Sequence, residues 1–189
     1  MQTPHTHQRE LTIVSLHRYY SWARTLRTHF ERPFKEWHEK GLKEENVEEW
    51  FGPTGMGEGV ALMSYWYAAL YVVIEGWREL GLKDDRIDEL LTSEHADRLR
   101  VHRNATCHYQ AEYFVKKWNR FEKEPGSVEW VWALDREFSR FFMKHTKDNM
   151  ERVLSSDAPT ELKEFAENFL ARYANNTPPA QTNTPTNET

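Results

Sequence analysis

Apolar residues recur along most of the chain at spacings of three and four, the period of a helix packed on one face. The pattern begins in "LTIVSLHRYYSWARTLRTHF", where Leu11, Val14, Trp22, Leu26 and Phe30 are predicted to form the buried stripe. Pro33 has no N–H for the helical ladder, so a break or restart is expected there, and "FKEWHEK" reads as a short continuation stopped at Gly41. A charged turn and the loop "GPTGMGEG" follow. A second long helix is predicted from near Gly59 to Leu80, with Gly81 as its stop. "KDDRIDELLTSEH" reads as a short helix with acidic residues in its first turn, where the helix dipole favours them. Ser93 is the expected N-cap of a long helix over about 94–122. Pro125-Gly126 ends that helix, Ser127 caps the next, "VEWVWALDREFSRFFMKHTKDNMERVL", and Asp157-Ala158-Pro159 opens the last, "TELKEFAENFLARYA".

No period-two alternation bounded by turns occurs, and no internal repeat. The pattern therefore predicts an all-α bundle of long antiparallel helices, a single domain over residues 1–174. Residues 175–189, "NNTPPAQTNTPTNET", hold almost no apolar side chains and are predicted to be disordered.

Composition narrows the function classes. Hydrophobic residues make up 39% of the chain, enough for one core, and a net charge of −5 exerts no global pull on nucleic acid or anionic membranes. Any polyanion site must come from a local basic cluster. Cys107 is the one cysteine, which excludes an intrachain disulfide and a cysteine-based zinc site and suits a reducing compartment. The start, "MQTPHTHQRE", lacks a basic segment followed by an apolar run, so a cytoplasmic location is expected. The most apolar window, "VALMSYWYAALYVVI", is shorter than the roughly 20 residues that span a bilayer and reads as a buried helix.

Metal and cofactor chemistry finds little support. None of the nine histidines has a glutamate three residues before it, so the di-iron bundle pattern fails. His95 and His102 share a helix face but have no evident third ligand. "GPTGMGEG" has neither a following Lys-Ser/Thr pair nor a preceding strand, so phosphate-loop fingerprints fail too. No metal and no cofactor are expected.

One segment stands apart: "RVHRNATCHYQ", which carries Arg103, Asn104 and His108. "RNATCH" resembles the motif of the HEPN superfamily, helical domains many of which are metal-independent endoribonucleases: an arginine, most typically followed directly by a polar residue such as asparagine, then a histidine after four to six intervening residues. The bare Arg-x4-His spacing also occurs at Arg24/His29 and Arg140/His145, but only the copy at Arg103 has the asparagine. The preceding layout is similar as well, a long apolar helix and a short acidic one, so the resemblance spans roughly residues 64–120.

The resemblance implies a homodimeric ribonuclease whose two motif helices line one cleft. The dimer matters, because at about 100° per residue Arg103 and His108 lie roughly 140° apart on a single helix. Asn104 and His108 share a face, one turn apart. His108 would serve as acid or base, Arg103 would hold the phosphate, and Asn104 would orient the imidazole or the phosphate. Arg98, Arg100, Lys116, Lys117 and Arg120 form a basic surround suited to RNA phosphates. The family further implies toxin or anti-phage roles and a possible antitoxin or regulatory partner. Two other readings stand beside this one: a catalytically silent module binding nucleotide, RNA or protein, and a plain helical interaction protein in which the three residues form a solvated face. Tyr109, Tyr113, Trp66, Trp77, Trp118, Trp130 and Trp132 are read as packing residues.

Overall fold

The computed structural model describes residues 4–39, 57–111 and 121–176, and within them every regular element is a helix. In chain order these are α1 (Pro4–Glu39), α2 (Glu58–Glu79), α3 (Asp85–Leu91), α4 (Glu94–Cys107), α5 (Ser127–Leu154) and α6 (Thr160–Asn176). The all-α expectation holds. The charged turn over 43–51, most of "GPTGMGEG" and the tail beyond Asn176 lie outside the described residues, as do Tyr113, Lys116, Lys117, Trp118 and Arg120. Packing gathers the chain into two compact units, 1–139 and 140–189, with the boundary inside α5, where the sequence pattern reads as one domain over 1–174.

Helix α2 organises the first unit. Trp66, Leu70, Val73 and Ile74 have no exposed surface, and Tyr67, Ala68, Tyr71 and Trp77 have almost none. A helix apolar nearly all round must be covered on several sides. Its length and composition would also suit a bilayer, but more than half of its apolar window is buried within the chain. Helix α1 covers one side: Phe30 stacks on Trp66 with ring centroids 6.1 Å apart, and Leu16 meets Gly76. Helix α4 covers another through Leu99 and His102, both fully buried. The first half of α5 covers a third, setting Trp132 edge-on to Trp66 at 4.9 Å and Phe138 edge-on to Trp77 at 5.6 Å.

Local chemistry explains several boundaries. The Gly81 backbone adopts φ +58 and lets its own N–H reach the Arg78 carbonyl while that of Leu82 reaches Trp77, a paired cap that ends α2. The Asp84 carboxylate accepts from the backbone N–H groups of Arg86 and Ile87 and starts α3. The Ser93 hydroxyl accepts from that of His95 and starts α4, as predicted. Gly126, at φ +77, makes the turn into α5, although the buried Ser127 hydroxyl makes no cap bond there.

Three expectations are corrected. Helix α1 runs through Pro33 to Glu39 without a break; one missing N–H removes a single ladder bond, which a 36-residue helix survives. The buried stripe of α1 is Ile13, Leu16, Tyr20 and Ala23, whereas Val14 and Trp22 are each 54% exposed. Leu16 of this stripe meets Gly76 on α2, while Tyr20 meets Asp135 and Phe138 on α5. Helix α4 stops at Cys107, where a helix to residue 122 was expected. Asn104, Thr106, Cys107, His108 and Tyr109 are all weak helix formers, so the segment ends without glycine or proline.

In the second unit, Phe141 and Phe142 meet edge-on at 5.5 Å and Phe141 stacks on His145. Ala166 is buried on α6, and the Pro159 carbonyl accepts from the Leu162 and Lys163 N–H groups at its start.

The contact between α1 and α2 yields a stability test. On helix propensity alone Gly76→Ala stabilises by about 1 kcal/mol. A Cβ at Gly76 would lie 2.4 Å from the Leu16 Cδ1, however, and Leu16 is buried. Overpacking costs about 1–3 kcal/mol, so Gly76→Ala is expected to lower the thermal midpoint by several degrees. Calorimetry on wild type and Gly76→Ala checks the sign; a raised midpoint would show that Leu16 yields freely.

Candidate active site at the end of helix α4

Arg103, Asn104 and His108 lie on and just beyond the last turn of α4. Arg103 is 27% exposed and held at two points. One Nη donates to the Asn104 Oδ1 at 2.9 Å and the other to the Glu75 Oε2 at 2.9 Å. Its guanidinium also lies over the Tyr71 ring, 6.0 Å from the centroid. Glu75 and Tyr71 are one turn apart on α2, so the core helix fixes the arginine. Burial, followed by the Glu75 charge, pushes the Tyr71 hydroxyl above its ordinary pKa and keeps it protonated. A guanidinium has five N–H donors, so three remain for another ligand.

His108 sits differently from the helical geometry assumed for it. It is the residue after the helix, with an extended backbone at φ −116 and ψ 137, and its N–H donates to the Asn104 carbonyl at 3.2 Å. Its side chain is exposed. The helical phase relation between Arg103 and His108 therefore does not apply, because the chain leaves the helix between them. Nor does Asn104 bond His108 through its side-chain oxygen, which Arg103 engages. Tyr109 is 93% exposed, which overturns its reading as a core residue; Trp66, Trp77 and Trp130 are core as expected, and Trp132 is half-buried.

The predicted basic surround divides. Arg98 bridges Glu94 at 3.0 Å and Glu124, and so ties α4 to the turn before α5. Arg100 is half exposed, with the Asp97 carboxylate 3.6 Å away. Among the described residues no three metal-ligating side chains converge.

One buried pair near the site was missed from sequence. The His102 Nδ1 lies 3.6 Å from the Glu122 Oε1, and the His102 ring meets those of Tyr67 and Phe121. The only signal was position: His102 falls three residues after Leu99 on the face of α4 that packs against α2. Burial raises the Glu122 carboxyl above its ordinary pKa, against a hydrogen bond from its own backbone and then the Lys123 charge. The Glu122 charge in turn helps burial keep the Tyr67 phenol protonated.

A carboxyl whose pKa is raised on folding favours the fold while protonated, and that contribution is lost as pH climbs from the ordinary carboxylate value of 4.5 through the raised one. Glu122→Gln, neutral throughout, is expected to remove this loss. Chemical denaturation at pH 4 to 8 should show the variant gaining on wild type as pH rises; a constant difference would mean that Glu122 titrates as in the unfolded chain. No family model, no curated protein and no solved structure matches the chain, and the geometry at the end of α4 is what a functional reading rests on.

Proposed function

We propose that the protein is a metal-independent endoribonuclease whose site is Arg103, Asn104 and His108. The observation that carries this reading is a guanidinium fixed by Glu75 and Asn104, with N–H groups to spare, five residues before an exposed imidazole at the helix end. The resemblance of "RNATCH" to the HEPN motif supports it from the sequence side.

The chemistry needs few groups. The substrate's 2′-OH attacks the adjacent phosphorus as a base takes its proton. The P–O5′ bond breaks, and an acid protonates the departing oxygen. The products are a 2′,3′-cyclic phosphate and a free 5′-OH. Imidazole titrates near neutral pH and serves in either role. Arg103 offers a planar fork to the phosphate and stabilises the charge that builds on it. One His108 supplies one proton-transfer group, and its counterpart in a second copy of the chain supplies the other, so the reading requires a homodimer.

A second reading rests on the same arginine. Glu75 already neutralises Arg103, as expected of a silent module that binds RNA, nucleotide or protein without cleaving. Purified protein incubated with a mixed RNA pool in EDTA separates the two. Wild type is expected to leave cyclic-phosphate ends. His108→Ala should slow cleavage by about 10²- to 10⁴-fold, and Arg103→Ala by about 10²- to 10³-fold. Sedimentation at the assay concentration should show a dimer. Full activity in either variant removes the site assignment, and a monomer without cleavage selects the silent module.

A further inference from the structure

The Arg24/His29 copy of the Arg-x4-His spacing lies elsewhere, and its surroundings differ from those of Arg103. Between α1 and α5 is a hollow of about 310 Å³ lined by Arg24, Arg27, Trp132, Arg136 and Ser139. Among the described residues three guanidinium groups line it and no carboxylate does, the Asp135 carboxylate lying buried behind Arg27. A shallower hollow of about 360 Å³ shares Arg24 and continues along α1 to His29. The hydroxyls of Ser21, Thr25 and Thr28 in that second hollow donate to carbonyls of their own helix, so the donors left for a ligand there are Arg24 and His29.

The three arginines are not equivalent. Arg27 is a structural pillar: it pairs with Asp135, donates to the Glu31 Oε1 at 2.9 Å and lies 4.4 Å over the Trp132 ring. Arg136 is 75% exposed, and its nearest carboxylate oxygen, on Glu137, is 3.9 Å away. Arg24 is exposed; among the described residues its side-chain hydrogen bond is a long one, 3.5 Å to the Ser139 Oγ, and it also acts through its charge on the buried Asp135. Among the described residues no carboxylate comes within ion-pair distance of Arg24. Two weakly engaged guanidinium groups thus face one hollow from different helices, beside a third that is held rigidly.

We infer that this trough binds a phosphate group, carried by a small phosphorylated molecule or by an RNA backbone. Guanidinium groups from two helices match an anion that presents oxygens in several directions, and the Ser139 hydroxyl adds a donor. A volume of about 310 Å³ takes a phosphate together with part of whatever bears it. Helix α2 separates this trough from the end of α4: Trp66 faces Arg27, while Tyr71 and Glu75 face Arg103. The inference therefore does not rest on the nuclease reading.

Titration calorimetry at constant ionic strength tests it with three probes: inorganic tripolyphosphate, a 2′-O-methylated RNA strand that cannot cleave itself, and citrate. Tripolyphosphate is expected to bind saturably, and Arg24→Gln or Arg136→Gln to weaken it by about tenfold each, since one charge-assisted bond contributes about that much. Both side chains are exposed, and melting curves confirm folding of each variant. Arg24→Lys, which keeps the charge without the fork, should recover only part of the loss. If the variants weaken the RNA strand alone, the phosphate comes from a backbone. If citrate binds as well as tripolyphosphate, or if the double variant binds both phosphate probes like wild type, the inference is overturned.

Discussion

Asp135 has no exposed surface, and a buried carboxylate must be answered by a cation or give up its charge. Arg27 answers it across the contact between α1 and α5. The Tyr20 hydroxyl adds a bond of 2.9 Å to the Asp135 carbonyl, so one residue of α5 is gripped twice from α1. Burial lifts the Asp135 carboxyl above its ordinary pKa, and Arg27 and Arg24 pull it back only in part. For Arg27 the balance falls the other way: burial opposes its charge, and Asp135 and Glu31 more than restore it. Such a pair adds little net stability over an apolar replacement, but losing one partner costs about 3–5 kcal/mol. Its effect is to fix which residues of α1 face α5. With that register set, Phe30 reaches Trp66, Arg27 lies over Trp132, and Arg24 is left on the open side.

The same register gives α2 its two outlooks. Trp66 looks toward the ion pair, while Tyr67, Tyr71 and Glu75 look toward α4. A helix apolar nearly all round serves as a wall between two arginine-bearing surfaces. Glu75 is the exception in that apolar sequence, and its carboxylate meets Arg103. A lone acid at the edge of such a helix is a recognisable signal, since a half-buried carboxylate calls for a cation on the neighbouring element.

Much of this was legible from residue pattern because it depends on local chemistry. Ser93 and Gly81 mark helix ends through caps that need only their immediate neighbours, and α2 announces itself by its run of aromatic and branched residues. The α1 stripe was misread because burial depends on the opposing surface: Gly76 admits Leu16, and Ala23 is buried while the larger Trp22 is not. The end of α4 was missed because a run of weak formers stops a helix gradually and leaves no single marker. His102 could have been found, since a histidine spaced with Leu99 on the packed face was bound to be buried; its partner Glu122, twenty residues on, could not.

The two arginine sites differ in what a phosphate would have to displace. At Arg103 the guanidinium is already bonded to a carboxylate and an amide oxygen, so an incoming phosphate uses the remaining N–H groups or competes with Glu75. With Glu75 43% exposed, that ion pair contributes only about 0–1 kcal/mol. Competition on that scale is small beside the charge-assisted bonds a phosphate offers. Glu75 therefore positions the arginine without locking it. At Arg24 no carboxylate of the described residues lies within ion-pair distance, and the Asp135 charge acts on it only from behind Arg27, so less stands in the way of an anion. One arginine is held by a carboxylate and an amide oxygen, the other by one long bond to a hydroxyl, and α2 keeps them apart.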